Sequence, residues 1–182
     1  FRRPKYGHNC SLMKMDGESK RKLSKRKDPE LSLSFYRQEG YHPFAVKVYM
    51  LTLLNSDFEE WHAKFPDKPL EEFPFRIGKM SRSGALFDLD KLNDISRTEL
   101  SRLSPEAMLA FLKEWAFAFG TEEQRNMFAD EEYLLKVLAL CMGTAGKKRR
   151  KDFVTAKQAM EEIGYFFAAY AQRDAYRVDD AT

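Results

Sequence analysis

From about residue 30 onward, apolar residues recur at helical spacing, and Gly and Pro punctuate them. "SLSFYRQEG" places Ser32 at a helix start and Gly40 at its end. "HPFAVKVYMLTLLN" follows, with Pro43 at a first helical position and an apolar body. Ser56 with Glu59 predicts a capping box for "DFEEWHAKF", and the Pro-rich stretch 66–74 breaks the run as loop. Ser104-Pro105 opens a helix to Gly120, with Leu109, Leu112, Trp115, Ala116 and Phe119 on one face. Thr121 with Gln124 forms a capping box, Asp130 caps "EEYLLKVLALCMG", and Thr155 with Gln158 caps "AKQAMEEIGYFFAAYAQ".

Two regions depart from this rhythm. Residues 1–30 lack a period and predict loop with one short strand at "CSLMKM", residues 10–15. Phe73, Phe75 and Ile77 alternate with Pro74 and Arg76, a period of two that predicts an extended segment. Gly78 and Gly84 then bracket a turn, and "DLDKLNDISR" reads as a short helix. The expected fold class is therefore mainly α with a minor α+β part. It divides into a basic head (1–30), a mixed middle (31–103) and a helical C-terminal half (104–182). The aromatic-rich faces of that half (Trp115, Phe117, Phe119, Tyr165, Phe166, Phe167) predict core.

Composition adds to this picture mainly through where the charge lies. The chain's 182 residues, 43% hydrophobic, suffice for a packed core. Net charge is only +3, yet residues 1–27 carry ten Lys/Arg against Asp16 and Glu18. A basic head on a slightly acidic body predicts a polyanion partner near the N-terminus, with a solvated tail as the alternative. Cys10 and Cys141 are far apart, which excludes a four-ligand zinc site and a disulfide framework. No metal site is expected. No apolar run reaches membrane-spanning length and "FRRPKYGHNC" lacks a signal-peptide centre, so the expectation is a cytoplasmic chain with no membrane partner. The chain does not begin with Met, which suggests a fragment or a processed chain.

Most catalytic signatures are missing from the sequence. GxSxG, HExxH, DxDxDG and Walker A patterns do not occur, and His42 and His62 sit where structural roles are expected. Adjacent acidic pairs such as Glu59-Glu60 point in different directions on a helix and read as solvated faces. Phosphate chemistry is the better candidate. "KLSKRK" (22–27) and "KMSRSG" (79–84) each set Lys-(Leu/Met)-Ser before another cation. Attack at the α-phosphate of a nucleotide triphosphate builds charge on the pyrophosphate leaving group, which clustered Lys/Arg and Ser donors can neutralise. The pattern by itself does not choose between the two stretches.

Their flanks do. "KMDGESKRKLSKRKDPELSLSFYRQEGYHPFAVKVYMLTLLN" followed by "SGALFDLDKLNDISR" resembles the glutamyl-tRNA synthetases, class I aminoacyl-tRNA synthetases. In that family a KLSKR-type signature loop closes the catalytic domain. A helix with a Gly-Tyr-(x)-Pro turn, an apolar helix and an "ALFDLxKL" phrase follow in the same order. The likeness covers residues 5–103 specifically and continues weakly into "KKRRKDFVTAKQAMEEIGYFF", which resembles the start of the family's helical anticodon-binding region. Glutaminyl-tRNA synthetases share the loop but are less similar over "GALFDLDKL".

The resemblance implies the end of a catalytic domain over 1–30, a stem-contact-like domain over 31–103 and an anticodon-binding-type bundle over 104–182. It implies Lys22 and Lys25 as the catalytic lysines, with Lys22, Ser24, Lys25 and Arg26 on ATP and Leu23 as the loop's anchor. Lys79, Arg82 and Lys91 would meet tRNA phosphates, as would the run Lys147, Lys148, Arg149 and Arg150; a solvated loop is the alternative for that run. Asp88 is expected to cap its helix, with an RNA role as the alternative.

The whole enzyme would use ATP with Mg2+ and glutamate, and would load tRNA for Glu, with tRNA for Gln left open. The family's HIGH-type motif and amino-acid pocket would lie upstream of Phe1, and further helices beyond Thr182. The expected chain is thus a C-terminal-side piece that needs no cofactor and does not activate glutamate alone. The rival expectation is a non-catalytic helical RNA- or protein-binding module derived from a synthetase.

Overall fold

The computed structural model describes Arg3 and residues 10–80, 84–144 and 148–171, with side chains as far as Phe167. The chain falls into two compact units, Phe1–Phe35 with Pro43–Ile95, and Tyr36–His42 with Ser96–Thr182. The described residues form eight α-helices and one two-stranded sheet, so the mainly α expectation holds.

In the first unit, strands β1 (Met13–Asp16) and β2 (Ser19–Lys22) pair antiparallel, Met13 opposite Lys22 and Asp16 opposite Ser19. The two-residue link Gly17-Glu18 suits this hairpin because Gly17, at φ 62°, supplies the left-handed first turn position. β1 is tied further by Met13 N–H to Ala85 O (2.9 Å) and Phe87 N–H to Met13 O (2.7 Å). The expected lone strand at 10–15 is therefore displaced to 13–16 and acquires a partner. β2, "SKRK", is polar on both faces and almost fully exposed, so it carries no period-two signal.

Helices α1 (Leu33–Glu39), α2 (Pro43–Leu54) and α3 (Phe58–Lys64) come next. Val48, Phe58 and Phe73 form a small core flanked by Phe44, Leu51, Trp61, Leu70 and Ile95. Burying Phe58 completely contributes about 1.5–3 kcal/mol. His62 stacks on its ring at 5.6 Å between centroids, a structural placement as expected.

One local expectation fails in this unit and another holds only in part. Ser56 does not cap α3; buried Asn55 organises the turn instead, its Oδ1 accepting from Asp57 N–H (3.1 Å) and its Nδ2 donating to Arg76 O (3.0 Å). The backbone is extended at Phe73 and Arg76, as expected, but residues 73–77 form no strand. Pro74 has no N–H to offer a ladder, and Phe73 alone is buried while Phe75 and Ile77 are 44% and 77% exposed. Ile77–Lys79 closes instead as a 3-10 turn.

α4 (Leu89–Leu100) starts in this unit and ends in the second. Asp88 caps it, Oδ1 accepting from Asp90 N–H at 2.9 Å and Lys91 N–H at 3.3 Å, as the sequence predicts. Behind the cap, Tyr49 is fully buried, and its hydroxyl accepts from Asp88 N–H at 2.7 Å.

The second unit is built from α5 (Pro105–Phe119), α6 (Glu122–Asn126), α7 (Glu131–Cys141) and α8 (Ala156–Ala171). The predicted caps form: Ser104 Oγ accepts from Ala107 N–H, Asp130 Oδ1 from Tyr133 N–H and Thr155 Oγ1 from Gln158 N–H, while Thr121 and Gln124 complete a capping box. Its core includes Met108, Leu112, Ala116, Leu134, Leu138, Met160 and Ile163, each fully buried. Trp115 is buried as expected, but Phe117, Phe119 and Tyr165 are 58%, 41% and 72% exposed and lie outside the core.

The segment 36–42 is fastened into this unit by its backbone. Trp115 Nε1 donates to Gln38 O (3.1 Å) and Ala156 N–H to Gly40 O (2.7 Å). Gly40, at φ 79°, admits no side chain, because a Cβ there would stand 2.8 Å from Ala156 Cβ.

Candidate functional site

β2 delivers Lys22 to the rim of the hairpin, and the next residue turns inward: Leu23 is 4% exposed. Its N–H donates to Leu12 O at 3.0 Å, which seats the strand's end. Ser24 O then accepts from Lys27 N–H (3.1 Å) and Asp28 N–H (2.9 Å), closing a tight turn over Lys25, Arg26 and Lys27. All three side chains of that turn are exposed. Among the described residues, Lys22, Lys25, Arg26 and Lys27 take part in no ion pair.

Two buried carboxylates hold this turn. Asp28 is 2% exposed and receives both ends of the Arg21 guanidinium at 2.7 Å, plus Ser24 N–H at 2.8 Å. Arg21 Nε also reaches Asp16 at 2.8 Å. The Arg21 hydrogen bonds, then the Ser24 N–H, keep the Asp28 carboxyl well below the usual carboxylate range. Glu30, also buried, pairs with Lys14 of β1. The charge cluster thus divides by role: Arg21 and Lys14 face inward onto carboxylates, while Lys22, Lys25, Arg26 and Lys27 stay in solvent. A field of exposed cations on a closed turn can neutralise a polyphosphate. The sequence shows the cluster but not this division, since Arg21 and Asp28 are seven residues apart and meet only through the turn.

The second Lys-Met-Ser stretch differs in kind. Lys79 ends the 3-10 turn, its ammonium 3.4 Å from Asp57 and its carbonyl accepting from Ser56 N–H. Arg82 lies outside the described residues. Gly84, at φ 85°, packs against β1, where a Cβ would meet Met13 Cγ at 2.9 Å. Lys91, in the first turn of α4, pairs with Glu59 at 2.7 Å. Such exposed pairs contribute about 0–1 kcal/mol, so they do not prevent either lysine from meeting a phosphate.

In the second unit, Lys147 lies outside the described residues and Lys148 is exposed. Arg149 donates to Leu103 O (2.7 Å), Arg150 pairs with Asp152 (2.6 Å), and Lys151 donates to Thr98 Oγ1 (3.2 Å). This run is therefore partly tied down along the end of the bundle. The candidate residues form separate groups: the 22–27 loop and the Lys79 and Lys91 positions in one unit, the 148–150 run in the other.

A cavity of about 180 Å³ beside β1, lined by Leu12, Met50, Leu53, Leu54 and Met80, is apolar and offers phosphate nothing. Among the described residues no cluster of three or more His, Cys, Asp or Glu could hold a metal ion. No helix of the described residues is long and apolar enough to cross a membrane.

No family model matches the chain. Curated proteins do. The chain is 47% identical over 167 residues to a glutamate–tRNA ligase of Acetivibrio thermocellus, covering 92% of this chain and 30% of that protein. It is 43% identical over 164 residues to a glutamate–tRNA ligase of Clostridium perfringens (90% and 30%) and 35% identical over 181 residues to one of Sorangium cellulosum (92% and 31%). The chain spans about 30% of the length of these relatives. With the signature stretch, the apolar helix and the "ALFDLDKL" phrase in order along a mainly helical chain, it belongs, as a partial region, to the glutamate–tRNA ligase family.

Proposed function

We propose that this chain is the signature-loop and tRNA-binding portion of a glutamate–tRNA ligase. The complete enzyme activates glutamate with ATP and Mg2+, releases pyrophosphate and transfers glutamate to the 3′ end of tRNA. The observation that carries this reading is the exposed quartet Lys22, Lys25, Arg26 and Lys27 on a turn closed by Asp28, in a chain 47% identical to such a ligase. Lys25 leads at the ATP phosphates, supported by Lys22, Ser24 and Arg26. Their cations offset the charge that grows on the departing pyrophosphate. Leu23, buried at the base of the loop, anchors it.

The boundaries 1–30, 31–103 and 104–182 are proposed as the catalytic end, the stem-contact-like domain and the start of the anticodon-binding-type region. Lys79, Arg82 and Lys91 contact tRNA phosphates in the middle region, and Lys147 to Arg150 do so in the third. ATP and Mg2+ belong to the complete enzyme, whose partners are tRNA for Glu and glutamate. The chain alone does not activate glutamate, and it works in the cytoplasm.

Two assays test the reading. The chain should bind tRNA with an affinity that falls steeply as salt rises, because each phosphate contact releases counterions. Binding that is undetectable or insensitive to salt would remove the RNA role. The complete protein should show glutamate- and tRNA-dependent consumption of ATP, which a non-catalytic module would lack.

A further inference from the structure

The charged groups at the base of the loop do more than fill space. Arg21 and Asp28 flank the segment 22–27 on either side, and the bidentate contact between them closes it like a clasp, at 2.7 Å on both nitrogens. Asp28 also takes the Ser24 N–H at 2.8 Å, so one carboxylate fixes the strand side and the first residue of the turn together. At 2% exposure this carboxylate is out of reach of bulk counterions, and salt screens it little. The paired geometry fixes orientation as well as distance, which a lysine in place of Arg21 would not do.

The site needs such a clasp. Four cations packed into six residues repel one another, and an open loop would let them spread into solvent. Electrostatic help in a transition state depends on charges already in place before the reaction begins. The Arg21 and Ser24 N–H bonds to Asp28 hold the ends of the turn together against the repulsion among its cations. Glu30 with Lys14 repeats the arrangement one step further along, and ties the residues after the turn back to β1.

We infer that Arg21 and Asp28 are positioning residues for phosphate chemistry, a clasp that sets the 24–28 turn so that Lys25 meets the nucleotide phosphates preorganised. This inference rests on the phosphate-loop reading above. It assigns Arg21 away from the nucleotide, although Arg21 lies within the same run of cations.

The test is glutamate-dependent ATP–pyrophosphate exchange by the complete ligase, with tRNA present, for Asp28→Asn, Lys25→Met and the double variant. Asp28→Asn should lower kcat by about tenfold to hundredfold, the scale on which small misplacements act, with tRNA affinity within about twofold of the parent. The double variant should be no slower than Lys25→Met, because an unset turn leaves that lysine little to contribute. Unchanged exchange in Asp28→Asn, or effects that multiply in the double variant, would overturn the clasp.

Lys25→Met leaving exchange intact would instead remove the phosphate-loop reading itself. A second readout on the 182-residue chain needs no activity. Trypsin should cut after Lys25 and Arg26 about tenfold faster in Asp28→Asn and in the milder Arg21→Lys, with cleavage elsewhere unchanged. Equal rates in parent and variants would show that the clasp does not hold the turn.

Discussion

The hairpin with its loop and the helical bundle of the second unit solve the problem of holding cations in opposite ways. In the bundle, a continuous apolar core around Leu112, Leu134, Met160 and Ile163 sets the architecture. The cations Arg149, Arg150 and Lys151 then attach along its end through a carbonyl, a carboxylate and a hydroxyl. In the hairpin the sheet has two short strands, and the turn beyond it is shaped by Asp28 and Glu30 acting on Arg21 and Lys14. Charge is peripheral in one region and structural in the other. In the hairpin, buried charge sets the turn that carries the exposed cations, whereas in the bundle the cations decorate a shape that apolar packing has already set.

Breaking the core should produce the largest effect. Leu112→Ala removes a fully buried side chain and should cost about 2–5 kcal/mol, read as a lower unfolding midpoint. The hairpin's tryptic pattern at Lys25 and Arg26 should stay unchanged in that variant at temperatures where both proteins are folded. Acidification separates the regions in another way. Burial holds the His42 imidazole below its usual value, with Glu99 and Glu114 opposing only in part, and its ring packs edge-on to Phe111 at 4.8 Å.

Because the unfolded chain binds that proton more readily, stability in the second unit should fall as pH drops below the ordinary histidine value of about 6.5. His42→Phe should flatten the loss between neutral pH and the folded-state value. Asp28 has the same sign in a lower pH window. Its carboxyl is depressed in the fold, so its contribution is complete above the usual carboxylate value and fades only as pH falls through a much lower one. Hydrogen exchange at pH 5 should therefore show a loosened bundle and an unchanged loop. A smaller effect is expected at the α4 cap, where Asp88→Ala should cost about 1 kcal/mol in thermal unfolding.

The same contrast explains what the sequence reveals. Ser104, Thr121, Asp130 and Thr155 announce their helices because a cap and the N–H it serves lie within three residues. The core face of α5 is legible through Leu109, Leu112 and Trp115, though Phe119 at one end of the stripe is left exposed. β2 is not legible, since a strand of four polar residues, "SKRK", has no apolar alternation to detect. The alternation at 73–77 gives extended backbone at Phe73 and Arg76 but no strand, as no neighbouring strand among the described residues takes it up. Ser56 and Glu59 match a capping pattern that Asn55 pre-empts by bonding to Arg76, 21 residues away.

At the candidate site the sequence supplies the cluster of cations, and the family likeness supplies their order of importance. Which of them face inward depends on Asp28 and Glu30, two carboxylates whose partners become neighbours only once the hairpin and turn have formed. Arg82 and Lys147 lie outside the described residues, so the proposal that they contact tRNA rests on the sequence alone.

The measurement closest to the central claim is ATP–pyrophosphate exchange by the complete ligase carrying Lys25→Met, set beside its affinity for tRNA. Exchange should fall by roughly a hundredfold while tRNA affinity changes by no more than about threefold, as expected when a charge acts chiefly in the transition state. Unaltered exchange, or a loss confined to tRNA affinity, would contradict the account and make the 22–27 loop an RNA-binding surface instead.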